Sequence, residues 1–489
     1  MLNRAGDRAS EPVSGATGQG AKRVSQGHGT GDNGQGTRDS GIGIRDSGFG
    51  TQEGTKGWRR RTAVPKASTI RLLSSDAPPS PRSAGRPAPP PLFRQPAYVA
   101  LLLTALVSNT GSWMQGFSEQ WLVVQLAGAE APRWTGRLGF ASGLAMLVLM
   151  PFGGALGDRF DRRRLLALCQ GWLAAVALAM GVLALLPGGL TLPRLVIFAA
   201  ATGVGLGLNG PVLNSLFPSV IPPEQLTSAS GYMSAKFNLS RIIGPSLAAM
   251  VMAVAGVAGN FLLNAVSFLG LITVAFRLPP SRPVPKGEQG GSYLQALRRC
   301  REDPQLRVVM VLSLFAGTFA WSYHTFVTVY AVRYLHVQAG GAASLLAAYG
   351  VGAIVGALYL SRDTGGPVWR RLRVFLGAYG GGLVLIGLLP HHEFSLAVAA
   401  SLGASHAVFG NLLSVLVQRR APEAMRGRIT ALYFMAVLGT TQLGNLAAGE
   451  IAQRLGYHGV RWVLGSQGVI LIGAAVWAAL RAHGSGTQD

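Results

Sequence analysis

Beyond about residue 95 the chain is a succession of apolar runs, most of them roughly 17–25 residues long with few charges, the length a helix needs to cross a bilayer. About twelve follow one another, beginning near Tyr98, Leu138, Leu165, Leu195, Ala229, Asn260, Val308, Ala342, Val374, Leu396, Ile429 and Val463. The run from Val374 to Leu389 is the shortest, and Gly and polar residues dilute several others, so their ends can move by a few positions. A length of 489 residues would otherwise suggest two or three soluble domains, but 49% hydrophobic against 13% charged residues, with 67 Gly, is a membrane composition. The pattern predicts an all-α integral membrane protein of twelve transmembrane helices whose apolar surface faces lipid.

The net charge is +23, from 43 Lys and Arg against 20 Asp and Glu. Such a charge would suit nucleic acid if it formed one soluble patch. It is divided instead among alternate loops: Arg159 with Arg162 to Arg164, the stretch Arg277 to Arg307, Arg362 with Arg370, Arg371 and Arg373, and Arg419, Arg420, Arg426 and Arg428. The intervening loops hold scattered Arg133, Arg137, Arg194, Arg333, Arg454 and Arg461. The positive-inside bias therefore places both termini in the cytoplasm; the expected location is the cytoplasmic (inner) membrane, as a multi-pass protein. The basic faces are expected to meet anionic lipid headgroups, and nucleic acid is not an expected partner. Cys169 lies within a run and Cys300 in a polar loop, which gives neither a disulfide framework nor a metal-binding spacing.

Residues 1–95 differ from the rest. They are rich in Gly, Ser, Thr, Arg and Pro and contain the near-repeat Arg38-Asp39-Ser40-Gly41-Ile42-Gly43 and Arg45-Asp46-Ser47-Gly48-Phe49-Gly50. With little apolar surface to offset chain entropy, they are expected to be a disordered cytoplasmic tail, either an inert extension or the product of a misassigned start, with a regulatory or lipid-surface tail as the alternative. Arg59-Arg60-Arg61 is followed by Thr62 to Lys66 rather than an apolar segment, which argues against an export signal. The polar stretch 277–307 separates two sets of six helices, 96–276 and 308–481, followed by a short tail at 482–489. An echo supports the division: Pro222-Pro223-Glu224 follows the fourth run and Ala421-Pro422-Glu423 the tenth. A Pro-Glu pair suits a helix start, because Pro lacks the orphan N–H and Glu complements the positive dipole end.

Polar groups inside spans are expensive and therefore functional candidates. Gln115 and Glu119 on the first run are four apart, hence on one face, and Asn109, Trp113 and Gln120 follow nearby helical spacing, which suggests a polar and aromatic cavity wall. Glu119 is the first candidate for proton coupling, since an apolar setting favours a carboxyl that takes up and releases a proton; a hydrated position near the outer interface is the alternative. Arg241 lies deep in the fifth run beyond Lys236 and needs a carboxylate, helix carbonyls or an anionic substrate. His324 and His406 are further proton-relay candidates, or packing residues.

Other signals are set aside. Gly205-Leu206-Gly207-Leu208-Asn209-Gly210 satisfies a dinucleotide-binding spacing but sits in an apolar run with no preceding strand. His391-His392-Glu393 reads as a solvated turn rather than a metal site. With no Walker-type phosphate loop, ATP is not the expected energy source; no cofactor and no enzymatic activity are expected.

Gly154-Ala155-Leu156-Gly157-Asp158-Arg159-Phe160-Asp161-Arg162-Arg163-Arg164 resembles the loop between the second and third helices of the major facilitator superfamily, departing at Asp161, where Gly is usual. The resemblance implies that Gly154, Asp158, Arg159, Arg162 and Arg163 form a conformational-switch loop. The corresponding stretch of the second half, Gly356 to Asp363, has Leu360 where the acidic residue is expected. Gly231, Gly244 and Pro245, with Ser240, Ala248 and Ala249, resemble a weakened form of the superfamily's exporter-associated fifth-helix motif. Ser108 to Gln115, Asn238 to Pro245 and Arg426-Gly427-Arg428 are similar to the enterobactin-exporter-like (transmembrane secretion effector) branch, a likeness covering roughly Pro96 to Leu480. It implies two six-helix bundles, a central cavity from the first, fourth, seventh and tenth helices, and alternating access by rocking. The expected function is export of a small drug-like or siderophore-like molecule by proton antiport, as a monomer. A proton-coupled importer of an organic anion and a transporter-shaped receptor or scaffold are the alternatives.

Overall fold

The computed structural model describes residues 91–280, 293–362 and 367–484; the side chains of Asp158, Pro218, Pro223, Thr227, Ala424 and residues 482–484 lie outside that description. Met1–Ala84 is a separate unit and lies outside the described residues, as do the near-repeat within it and most of the linker; the helices all belong to the second unit, Gly85–Asp489. No strand occurs among the described residues, and the α-helices are α1 Pro96–Ala127, α2 Ala131–Arg159, α3 Arg162–Leu185, α4 Leu192–Leu216, α5 Leu226–Arg277, α6 Tyr293–Glu302, α7 Pro304–Ala320, α8 Ser322–Tyr334, α9 Ala339–Ser361, α10 Val368–Leu388, α11 His392–Arg420, α12 Arg426–Arg454 and α13 Gly459–Gly484.

Nine stretches among the described residues are long and apolar enough to cross a membrane. Three are composite: Pro96–Gly157 runs through α1 and α2, Ser228–Arg277 lies in α5, and Pro304–Tyr334 joins α7 to α8. The remaining long helix, α12, is not among the nine; Thr440, Thr441, Gln442, Asn445 and Glu450 lower its hydropathy. Within α5, Gly256 adopts φ 63°, a conformation that glycine tolerates best. The chain turns back there. Asn260 Nδ2 donates to Ala248 O at 3.0 Å, although twelve residues of straight helix would separate them by about 18 Å. The fifth and sixth expected runs, from Ala229 and Asn260, therefore lie on either side of Gly256.

Local chemistry sets several helix starts. Asp161, the departure from the superfamily pattern, caps α3 by accepting from Arg163 N at 3.0 Å. Asp303 caps α7, accepting from the N–H groups of Gln305 and Leu306. The two echoing Pro-Glu segments form the same structure, short 3-10 turns at Pro223–Gln225 and Glu423–Met425 directly before α5 and α12. Losing an N-cap costs about 1 kcal/mol, so Asp161→Ala is expected to lower the thermal midpoint of the purified protein by a few degrees, whereas Asp161→Asn, which also caps well, leaves it nearly unchanged.

The helices pack in a pattern that occurs twice. In the first half α2 lies on α4, α1 on α5, and α3 on the part of α5 beyond Gly256; in the second, α9 lies on α11, α7 on α12, and α10 on α13. The halves meet along two seams, α2 with α12 and α5 with α9. One large apolar cluster fills the second half and reaches Met114, Phe117 and Ala248 of the first, whose own interior is divided among smaller clusters. Large apolar side chains such as Val254, Leu168 and Leu480 point outward, where lipid would cover them.

Two boundaries differ from the sequence reading. Residues 91–95 do not belong to a featureless tail: Leu92–Arg94 form a 3-10 turn, Phe93 packs edge-on to Tyr232, and Gln95 donates to Gln225 at 2.7 Å. The linker 277–307 contains α6, whose Ala296 and Cys300 are buried. The apolar surface of Leu92, Phe93 and α6 is enough to dock these short segments, although neither would hold a fold alone.

Candidate functional site

The polar residues of α1 separate into two sites on opposite faces, so the single wall expected from the sequence does not form. Residues 113 and 115 are 200° apart around a helix, and that rotation decides their neighbours. Gln115 and Glu119 turn into the first half and are buried. Gln115 Nε2 donates to Glu119 Oε1 at 2.8 Å and to Thr202 of α4 at 3.1 Å, while its Oε1 accepts from Asn264 of α5 at 2.7 Å. A second chain of hydrogen bonds, Ser108 to Gln170 to Asn209, links α1, α3 and α4. Glu119 is thus held by a hydrogen bond within the bundle, neither hydrated at its rim nor beside Trp113.

The opposite face of α1 looks toward the second half. Trp113 packs on Phe237 and, with ring centroids 5.3 Å apart, on His324 of α8. Gln120 accepts from Thr328 of α8 at 3.0 Å. Asn109, on the same face, is partly exposed and makes no hydrogen bond among the described residues.

His324 and His406, read from the sequence as separate candidates, belong to one cluster. Trp321, at the break between α7 and α8, lies 6.1 Å from the His324 ring and 5.1 Å from that of His406 on α11. Tyr349 of α9 hydrogen-bonds through its hydroxyl to His406 Nδ1, and the Arg241 guanidinium of α5 sits over the Tyr349 ring at 5.4 Å, within cation–π range. Arg241 also donates to Asn238 Oδ1 at 3.3 Å, while its Nε and the Nε2 of His324 are buried without a hydrogen-bond partner among the described residues. Trp113, Arg241, Trp321, His324 and His406 are only partly covered, as the lining of an accessible space would be. Of the helices expected to line a cavity, the first, seventh and tenth runs supply Trp113, His324 and His406, α5 and α9 add Arg241 and Tyr349, and α4 supplies Thr202 to the Glu119 network. Sequence reasoning missed Tyr349 and Trp321; an aromatic residue with a polar tip inside an apolar run was the available signal.

Around this cluster the halves are joined at the face opposite the Arg-rich loops. Arg133 at the start of α2 donates through Nε and Nη2 to the Glu450 carboxylate of α12 at 3.0 and 3.3 Å, and Arg333 Nη2 donates to Gly128 O at 2.5 Å. Where α2 crosses α12, a Cβ on Gly136 would stand 2.7 Å from Asn445 O and 3.1 Å from Gly449 Cα. A crevice of about 710 Å³, lined by residues including Trp121, Met250 and Ala343, lies on the α5–α9 seam.

On the Arg-rich face, Arg162 donates to Gly157 O and to Ser215 O of α4, and Arg163 to Asp161 and to Leu278 O beyond α5. Arg159 is exposed, and Asp158 occupies the last turn of α2. Two glycines depart from the motif reading. Gly154 faces open space, and the close approach to α4 is made by Gly153; Gly231 is likewise open, while Gly244 meets Thr110 and Trp113 of α1. Pro245 lies within α5 one residue beyond that contact, and Ser240 and Ala248 are fully buried. The dinucleotide-like stretch Gly205 to Gly210 is interior to α4, where Gly205 and Gly207 pack on α3 and α2. No group of three His, Cys, Asp or Glu side chains among the described residues could hold a metal ion.

Residues 87–485 match the family model described as transmembrane secretion effector. The chain belongs to that family. Among its curated relatives are the enterobactin exporter EntS of Citrobacter koseri, 27% identical over 369 residues, and that of Escherichia coli, 27% identical over 377 residues; each alignment covers 73% of this chain and 86% of the relative. A bacterial homologue of the human lysosomal transporter Spinster, solved in an inward-facing and unoccupied conformation, superposes with a TM-score of 0.64 at 16% identity, covering 81% of this chain and 98% of that one. A D-xylose–proton symporter gives 0.61 at 16% identity, covering 79% and 97%. These likenesses show the major facilitator fold. The family is one of multi-pass membrane transporters of the efflux type, not of enzymes.

Proposed function

We propose that this protein exports a small organic molecule across the cytoplasmic membrane by alternating access, with proton antiport as the energy source and both termini in the cytoplasm. One observation carries the reading: α1, α5, α8 and α11, drawn from both halves, bring the partly covered Trp113, Arg241, His324 and His406 together around the buried Tyr349 of α9. Residues contributed by both halves can hold a cargo only while the halves keep one arrangement, so rocking them exchanges holding for release.

In this reading the chain makes twelve passes in two bundles, because α5 turns back at Gly256 and α7 with α8 forms one broken span. Contacts at Arg133–Glu450 and Gly136–Gly449 close the outer side, leaving the site to the Arg-rich, cytoplasmic side. Asp158 and its Arg-rich neighbours latch the opposite arrangement. The chemistry of the cluster suits a cargo with an aromatic part, and the efflux-type relatives support export.

The test is flux in proteoliposomes over a panel of aromatic small molecules. A pH gradient should drive accumulation of at least one compound severalfold above equilibrium, and Trp113→Ala with His406→Ala should abolish it. Binding without gradient-driven or downhill flux of any compound would favour a receptor and overturn the proposal.

A further inference from the structure

Charge inside the helices is unbalanced. Away from the helix ends the first-half interior holds one carboxylate, Glu119, and two cations, Lys236 and Arg241, and Glu119 is engaged by Gln115. Among the described residues no carboxylate pairs with either cation, although Lys236 is buried and lies about 7.5 Å along α5 from Arg241. A cation removed from water without a counter-ion is costly, so a protein that keeps two of them in its interior has a use for a negative partner.

The surroundings of Arg241 indicate what that partner is. A guanidinium presents five donors in a planar fork that matches a carboxylate. Here one donor goes to Asn238, Nε is buried without a partner among the described residues, and the face lies over Tyr349. Close to it are His324 and His406, with Trp113 and Trp321 packed on those rings, which offer ring faces and N–H groups but no negative charge. We infer that the cargo is a small aromatic monoanion, its carboxylate bound by the free edge of Arg241 and its ring packed against the partly covered Trp113 and Trp321. The inference rests on the transporter reading for the site's purpose, but binding alone can decide it.

The experiment measures equilibrium binding to the purified full chain by quenching of tryptophan fluorescence, with calorimetry as a second readout. The probes are 1-naphthoate, its neutral isostere 1-naphthamide, and the non-aromatic cyclohexanecarboxylate. Naphthoate is expected to bind at least tenfold more tightly than either of the others. Arg241→Gln should bring naphthoate and naphthamide within about twofold, while Arg241→Lys should keep part of the preference, since it preserves the charge and loses the fork. Equal binding of naphthoate and naphthamide to the wild-type protein would overturn the inference, and that comparison needs no variant to fold. Displacement of naphthoate by phosphatidylglycerol at equal concentration would overturn it in favour of a lipid headgroup site. Export of neutral aromatics with no anion preference would sink this inference and leave the transporter reading intact; selective naphthoate binding without flux of any compound would do the reverse.

Discussion

Replacing Glu119 by Gln is expected to lower proton-driven accumulation in proteoliposomes by more than tenfold, while cargo binding and exchange down a gradient persist. Glu119 is the one carboxylate away from helix ends in the described spanning helices, and its contact with Gln115 Nε2 places it in a network reaching Thr202 and Asn264. That network ties α1 to α4 and to the part of α5 beyond Gly256, so a change of charge at Glu119 bears on how α1 sits, and α1 also carries Trp113 on its other face. The amide of Gln mimics a permanently protonated acid in size and leaves no charge to discharge or restore. Glu119→Ala is the structural control. It would leave Gln115 with a lost partner and a small void, a penalty of about 1–3 kcal/mol, and should lower the thermal midpoint more than Glu119→Gln does. Accumulation by Glu119→Gln at the wild-type level would remove Glu119 from the coupling step and move attention to His324 and His406.

A bulky residue at the crossing of α2 and α12 should be nearly as damaging, for a different reason. A Cβ on Gly449 would approach Pro132 O to 2.6 Å and Gly136 Cα to 3.0 Å, and backbone atoms cannot yield as a flexible side chain can. Gly136→Val or Gly449→Val therefore holds the two helices apart at the face where Arg133 meets Glu450. Each should insert normally, since neither glycine adopts a positive φ and a helix interior does not require Gly. Flux should fall more than tenfold. In a background without Cys169 and Cys300, Gln120→Cys should react with a membrane-impermeant thiol reagent from the face opposite the Arg-rich loops only when the valine is also present. Wild-type flux in either valine variant would show that the close α2–α12 contact is not a required state of the cycle.

The class of the protein was legible because hydrocarbon imposes a one-dimensional rule. A run of sufficient length and apolarity must be a helix, wherever it ends up in space. The Pro-Glu echo before α5 and α12 was likewise local chemistry and forms the same turn twice. The closeness of Gly244 to α1 followed from its setting beside small residues, but that of Gly153 rather than Gly154 depended on which side of α2 faces α4, a phase that a motif does not carry. Glu119 was identifiable as a candidate acid, yet the groups that fix its partner Gln115 come from residues 83 and 145 positions beyond Glu119 in the chain, Thr202 and Asn264.

The sequence by itself determined that this is a membrane-spanning helical protein with a polar, Arg-rich set of alternate loops and a few ionisable groups in its spans, because each of these depends only on residues near one another in the chain. Tertiary structure decided which groups form a site. His324 and His406 lie 82 residues apart in sequence, and Tyr349 was not singled out at all; they meet with Trp113 and Arg241 because the packing of α1, α5, α8, α9 and α11 brings one face of each helix to the seam between the halves. Hydrophobic periodicity is weak in helices that face lipid on one side and apolar neighbours on the other, so the sequence does not record which face turns inward; helix-to-helix packing alone fixes that rotation.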